Sequence, residues 1–138
     1  MTVTVLGPAP SGLAALLGDL LEQNLSRDPR RRALLRPCVA VLEATDAGVT
    51  VFLRIGPGEV RVGDGDVPDA HLRVRARGER LLTLTIAPLR GGLPDVARPG
   101  GRAIVRDLLA GRLVVRGLLR HPVRLTRLTA LLSVAEDR

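Results

Sequence analysis

The chain has 138 residues, of which 46% are hydrophobic and 25% charged. That balance excludes an intrinsically disordered tract, and the length suits one domain able to bury roughly 70% of its unfolded surface. Net charge is +7, every cation is an arginine, and the aromatic complement is Phe52 alone.

The arginines are spread along the chain. Solvated faces under a compositional bias therefore explain them more simply than a dedicated phosphate-binding surface. Their one cluster in sequence is Arg30, Arg31 and Arg32. Cys38 has no second cysteine to pair with, which excludes an internal disulfide or a thiolate metal site. No stretch approaches the roughly 18 apolar residues of a membrane span, and the N-terminus lacks a basic region ahead of an apolar run. The expectation is a soluble, cytoplasmic chain.

Residues 1–10 read as a flexible segment or short strand: Thr2 to Leu6 alternates weakly and ends in Gly7-Pro8-Ala9-Pro10. Ser11 can cap a helix over 11–26, where Leu13, Leu16, Leu17, Leu20, Leu21 and Leu25 recur at helical spacing opposite Asp19, Glu22 and Asn24. The acidic polar face suits packing on a core better than lying on a membrane.

After an arginine-rich link, residues 38–76 read as a strand meander. Its runs are Cys38 to Ala44, Val49 to Ile55, Glu59 to Val62 and Ala70 to Ala76, with glycine-bearing turns between them. The last run alternates cleanly, with Leu72 and Val74 on one face and His71, Arg73 and Arg75 on the other. Short links between consecutive runs predict antiparallel pairing with one wet face.

Residues 78–138 read as helix, loop, helix, strand, helix. Leu81, Leu82, Leu84 and Ile86 suggest a short helix, and the glycines and prolines from Gly91 to Gly101 a loop. A helix from Ala103 ends at Gly111, a strand over Leu113 to Val115 closes at Gly117, and a final helix follows Pro122.

Catalytic constellations are missing from this pattern. The chain has two histidines. His71 lies beside arginines, His121 precedes a proline, and no serine sits in a glycine-flanked elbow, so no nucleophile, base and orienting group assemble. Asp64, Asp66 and Asp69 resemble a calcium loop, but Val67-Pro68 breaks the ligand spacing and turn-forming explains them better. Gly100-Gly101-Arg102 before a helix could hold a phosphate, though a loop entering a helix accounts for it more simply. The near absence of aromatics weighs against nucleic-acid binding. No catalytic residue, metal or cofactor is expected.

One run carries a resemblance. Asp107-Leu108-Leu109-Ala110-Gly111-Arg112-Leu113-Val114-Val115-Arg116-Gly117, preceded by the strand Ala70 to Ala76 and by Gly78-Glu79-Arg80-Leu81-Leu82, resembles the sterol carrier protein type 2 (SCP2-like) family. The resemblance covers roughly Leu13 to Leu132. It implies an α+β fold, with an antiparallel-rich five-stranded sheet covered on one face by about four helices. It also implies an apolar tunnel for a fatty acyl, prenyl or sterol-like chain. The chain departs from the family's peroxisomal members by ending Ala135-Glu136-Asp137-Arg138 rather than in a Ser-Lys-Leu type tripeptide.

On that fold, the expected lining is Phe52, Leu84, Ile86, Ile104, Val105, Leu108, Leu118, Leu125, Leu128 and Leu132. The expected function is non-enzymatic binding or transfer of an apolar, lipid-like ligand. The alternative is an accessory protein with a filled core, acting as a homodimer or through a partner protein.

Overall fold

Ser11 starts the first helix. Its hydroxyl accepts the Ala14 N–H at 3.1 Å, a standard N-cap, while its own N–H donates to Asp64 Oδ2 at 2.8 Å. A short-range cap is thereby tied to the far end of a strand. The computed structural model describes residues 2–7, 11–27, 35–81, 89–90, 93–94, 97, 99–117 and 120–132. In chain order its elements are β1 (Thr2–Val5), α1 (Gly12–Arg27), β2 (Cys38–Ala44), β3 (Val49–Gly56), β4 (Glu59–Asp64) and β5 (Leu72–Ala76). There follow a helical segment described over residues 78–81 (α2), β6 (Leu89–Arg90), β7 (Leu93–Pro94), α3 (Pro99–Leu109), β8 (Leu113–Arg116) and α4 (Pro122–Leu132).

The main sheet has six strands in the order β1-β4-β3-β2-β5-β8. It is mixed, which corrects the expectation of five antiparallel-rich strands. β2, β3 and β4 do form an antiparallel meander, but β5 returns to pair in parallel with β2, and β1 pairs in parallel with β4. Alternation reports one wet face and says nothing about strand direction, so the fourth run does not continue the meander as its spacing suggests. The link over residues 65–71 lets β5 return. Gly65, at φ 109°, turns the chain out of β4, and Asp66 and Asp69 then bind Arg73 of β5 and Arg54 of β3. This link therefore straps the sheet face that carries those arginines.

The opposite face is the core. Ala40, Leu42, Val51, Leu53, Val60, Val62, Leu72 and Val74 are buried there beneath the helices. α1 covers β1, β4 and β3 and packs on α4, while α3 packs on β8 and β7. Leu21, Leu25, Leu53, Leu72 and Leu131 are fully buried, and each such side chain stabilises the fold by about 2 kcal/mol. Asn24, also buried, donates Nδ2–H to the Leu131 carbonyl at 2.9 Å and so joins α1 to the last turn of α4.

α3 begins at Pro99 rather than near Ala103, so Gly100 and Gly101 fall within its first turn and not in a loop ahead of it. Proline suits a first turn because its missing N–H has no helical partner to lose. Leu89–Arg90 and Leu93–Pro94 form a small antiparallel ladder at and within the stretch expected to be a loop. The end of α3 follows expectation. Arg112 N–H bonds the Asp107 carbonyl at 3.0 Å and Gly111 N–H the Leu108 carbonyl at 3.3 Å, with Gly111 left-handed at φ 75°. That pairing is a Schellman cap.

Candidate functional site

The expected lining residues divide by position. Ile104 on α3 and Leu128 on α4 belong to the buried cluster beneath the helices. Leu108, Leu125 and Leu132 are half-buried against it. Val105 is half-buried and stands outside that cluster. Leu84, Ile86 and Leu118 lie outside the described residues. Leu81 and Leu131 join the cluster although neither belongs to the expected lining; the periodicity of the final helix already carries Leu131 as a signal.

Phe52 is placed elsewhere. Val51, Leu53 and Ile55 of β3 point into the core, and strand alternation sends Phe52 to the strapped face. There it pairs with Val41 and Gly63 across the strands, with the Arg54 guanidinium 5.8 Å from its ring centroid. Gly63 makes room for the ring: a Cβ there would collide with Phe52 Cζ. The one aromatic ring thus belongs to the arginine face and not to the helix-covered cluster.

The polar candidates are each committed to local partners. Asp64 caps α1, Asp66 holds Arg73, and Asp69 takes Arg54 in a two-pronged pair at 2.8 and 3.1 Å. These hydrogen bonds keep all three carboxyls below their ordinary range, that of Asp64 through Ser11, Asp66 through Arg73 and Asp69 through Arg54. Among the described residues no group of three or more His, Cys, Asp or Glu side chains could hold a metal ion. Burial pushes the Cys38 thiol up, against the opposing pull of Arg124 and Arg127, so it stays protonated at neutral pH.

The two histidines meet edge to face, centroids 5.1 Å apart, where β2, β5 and α4 begin. His71 Nδ1 accepts the Val39 N–H, and Arg124 Nη1 lies 2.8 Å from His121 Nδ1. Gly117 approaches so closely that a Cβ would collide with the His71 carbonyl oxygen. These contacts join strand and helix ends.

No protein-family model and no curated protein sequence matches the chain. The architecture, however, superposes on a solved structure described as "UbiJ-SCP2 Ubiquinone synthesis protein". The TM-score is 0.63 at 24% identity, covering 90% of this chain and 96% of that one. The fold is SCP2-like. A structure from Thermus thermophilus, a conserved hypothetical protein described as possibly a sterol carrier protein, aligns at TM-score 0.42 and 14% identity. It covers 94% of this chain and 92% of that one. In this SCP2-like chain the run from Asp107 to Gly117 spans the end of α3, its Schellman cap and β8. The residues that prompt the resemblance thus connect two structural layers. No described helix is long and apolar enough to cross a membrane.

Proposed function

We propose that the chain binds an apolar, lipid-like molecule (a fatty acyl, prenyl or sterol-like chain) between the core face of its sheet and helices α3 and α4. The observation that carries this reading is the SCP2-like fold, with Ile104, Leu108, Leu125, Leu128 and Leu132 gathered on one cluster under those helices. The reading is of a non-enzymatic carrier or accessory protein in the cytoplasm. Burying hydrocarbon is worth about 0.8 kcal/mol per methylene, so roughly ten well-buried carbons bring micromolar affinity within reach before association costs are subtracted.

Displacement of a fluorescent fatty acid tests the proposal, together with native mass spectrometry of protein purified without detergent. Saturable displacement and a co-purifying lipid support it. No displacement at high micromolar protein, with no bound lipid, overturns it.

A second reading has its own observation. Leu109 on α3 is 85% exposed and Val123 on α4 is 57% exposed, apolar side chains that a protein contact would cover. Ubiquinone synthesis is stated for the similar structure, and an accessory role in making an apolar quinone is compatible with either reading. Sedimentation showing a stable dimer or heterocomplex without extractable lipid favours the second.

A further inference from the structure

A cavity of about 350 Å3 opens at the end of the sheet, at the edge of the helix-covered cluster, with which it shares Ala76. Its lining includes Thr45, just past β2; Arg75 and Arg77, at the end of β5; Arg80 of α2; and Gly111 and Arg112, between α3 and β8. Four arginines, three of them within residues 75–80 and the fourth at 112, therefore line one concavity, and none of its described lining residues is a carboxylate. Random scatter of surface arginines favours separation, because like charges repel and each is best solvated alone. Convergence on a hollow is the arrangement used to hold an oxyanion.

The carboxylates nearby leave much of that donor capacity open. Asp107 stands behind the lining and is shared: Arg80 reaches it through Nη1 alone, at 2.6 and 2.7 Å, and Arg112 through Nε at 2.9 Å. One carboxylate thus braces two guanidiniums while their remaining N–H groups stay without a carboxylate partner among the described residues. Arg75 lies 3.5 Å from Glu43 and Arg77 3.5 Å from Glu79, both longer than a charge-assisted hydrogen bond and both exposed. Asp46 accepts the Gly78 N–H at 2.8 Å and also feels the charge of Arg77. The Schellman cap at Gly111 places Arg112 in turn, since Asp107 holds that residue by both its carbonyl and its side chain.

We propose that this arginine-lined pocket binds a phosphoryl group, carried either by a small soluble phosphate or by a lipid headgroup. The cavity is too small for an extended acidic peptide and falls within the size range of small-ligand sites. Planar guanidinium forks match the tetrahedral oxygens of a phosphoryl group, which can take the N–H donors that the long, exposed pairs with Glu43 and Glu79 and the shared Asp107 leave open. This inference is independent of the apolar-ligand reading, because none of the side chains named for that reading lines the cavity.

The test titrates the full chain with inorganic phosphate, with glycerol 3-phosphate, and with phosphatidylcholine vesicles containing or lacking phosphatidic acid. Arginine Nε–H NMR signals report the soluble probes and co-sedimentation reports the vesicles. The informative variant is the double substitution R75Q/R77Q, whose exposed side chains leave the Asp107 brace intact. The charge-matched control is R36Q/R61Q, ahead of β2 and on β4; neither residue lines the cavity. Saturable binding that weakens about tenfold or more in the first variant, and matches the parent chain in the control, supports the pocket. Saturation with soluble phosphates identifies a free ligand, and saturation only with phosphatidic acid vesicles identifies a headgroup. Absence of binding to every probe, or equal weakening in both variants, overturns the proposal.

Discussion

His71 and Val39 bond each other twice: the His71 N–H donates to the Val39 carbonyl at 2.8 Å, and the Val39 N–H donates to His71 Nδ1 at 2.9 Å. A protonated imidazole has no lone pair to accept the second bond. Burial first, then the charges of Arg124 and His121, push the His71 ring below its ordinary value of 6.5, against an opposing pull from Asp69. The unfolded chain therefore takes up this proton before the folded one does. Above about pH 7 the ring is neutral in both states; stability falls as pH drops through the unfolded value and levels off below the folded one. Urea unfolding between about pH 7.5 and about pH 5.5 should show this decline, and His71→Asn should flatten it. An unchanged slope in the variant would reject this assignment.

Asp107 braces α2, α3 and the approach to β8. Hydrogen bonds from Arg112 and then Arg80 hold its carboxyl below the ordinary value, against burial, which raises it. Its contribution to stability is present above about pH 4 and is lost as pH falls through the folded value. Asp107→Asn keeps the shape and removes the charge, with an expected loss of about 2 kcal/mol by chemical denaturation at neutral pH.

Two left-handed glycines should respond differently to alanine. At Gly111, φ 75°, a Cβ meets nothing within 4 Å, so the substitution should cost about 1 kcal/mol from backbone conformation alone. At Gly117, φ 89°, the same Cβ runs into the His71 carbonyl oxygen, and backbone must move. That adds displacement to strain, for a loss of about 3 kcal/mol or more. Comparing the melting midpoints of the two variants tests the order.

Asn24 is the buried polar tie between α1 and α4. Asn24→Ala strands the Leu131 carbonyl and opens a small cavity, with an expected cost of about 2 kcal/mol. Hydrogen exchange should show the loss first in the last turn of α4. Uniform loosening across the molecule would contradict a local tie.

Much of the fold is legible in the sequence because its signals are local. Ser11 as a cap, the leucine stripe of α1, and Gly111 and Gly117 as terminators are each decided within a few residues, and each stands where spacing and backbone freedom put it. Strand order is not legible in the same way. Nothing in Leu72 to Ala76 encodes that it lies beside β2 rather than β4; the link that returns it there is held by the Asp69–Arg54 and Asp66–Arg73 pairs, which form only once the strands are in place. Hydrophobicity alone assigns Phe52 to the lining, whereas its alternation with Val51 and Leu53 assigns it to the other face. Alternation already puts Arg75 and Arg77 on one side of their strand, but the pocket is not legible, because Thr45, residues 75–80 and residues 111–114 meet only in the folded chain.

Phe52 also decides what spectroscopy can report about this molecule. With no tyrosine or tryptophan in the chain, the sole phenyl ring lies across the sheet from the helix-covered leucines. Near-ultraviolet phenylalanine signals will follow the face that carries Val41, Gly63 and Arg54 and stay blind to a hydrocarbon tail entering from the helical side. Reporting on that side requires an introduced chromophore or an isotope-labelled methyl group.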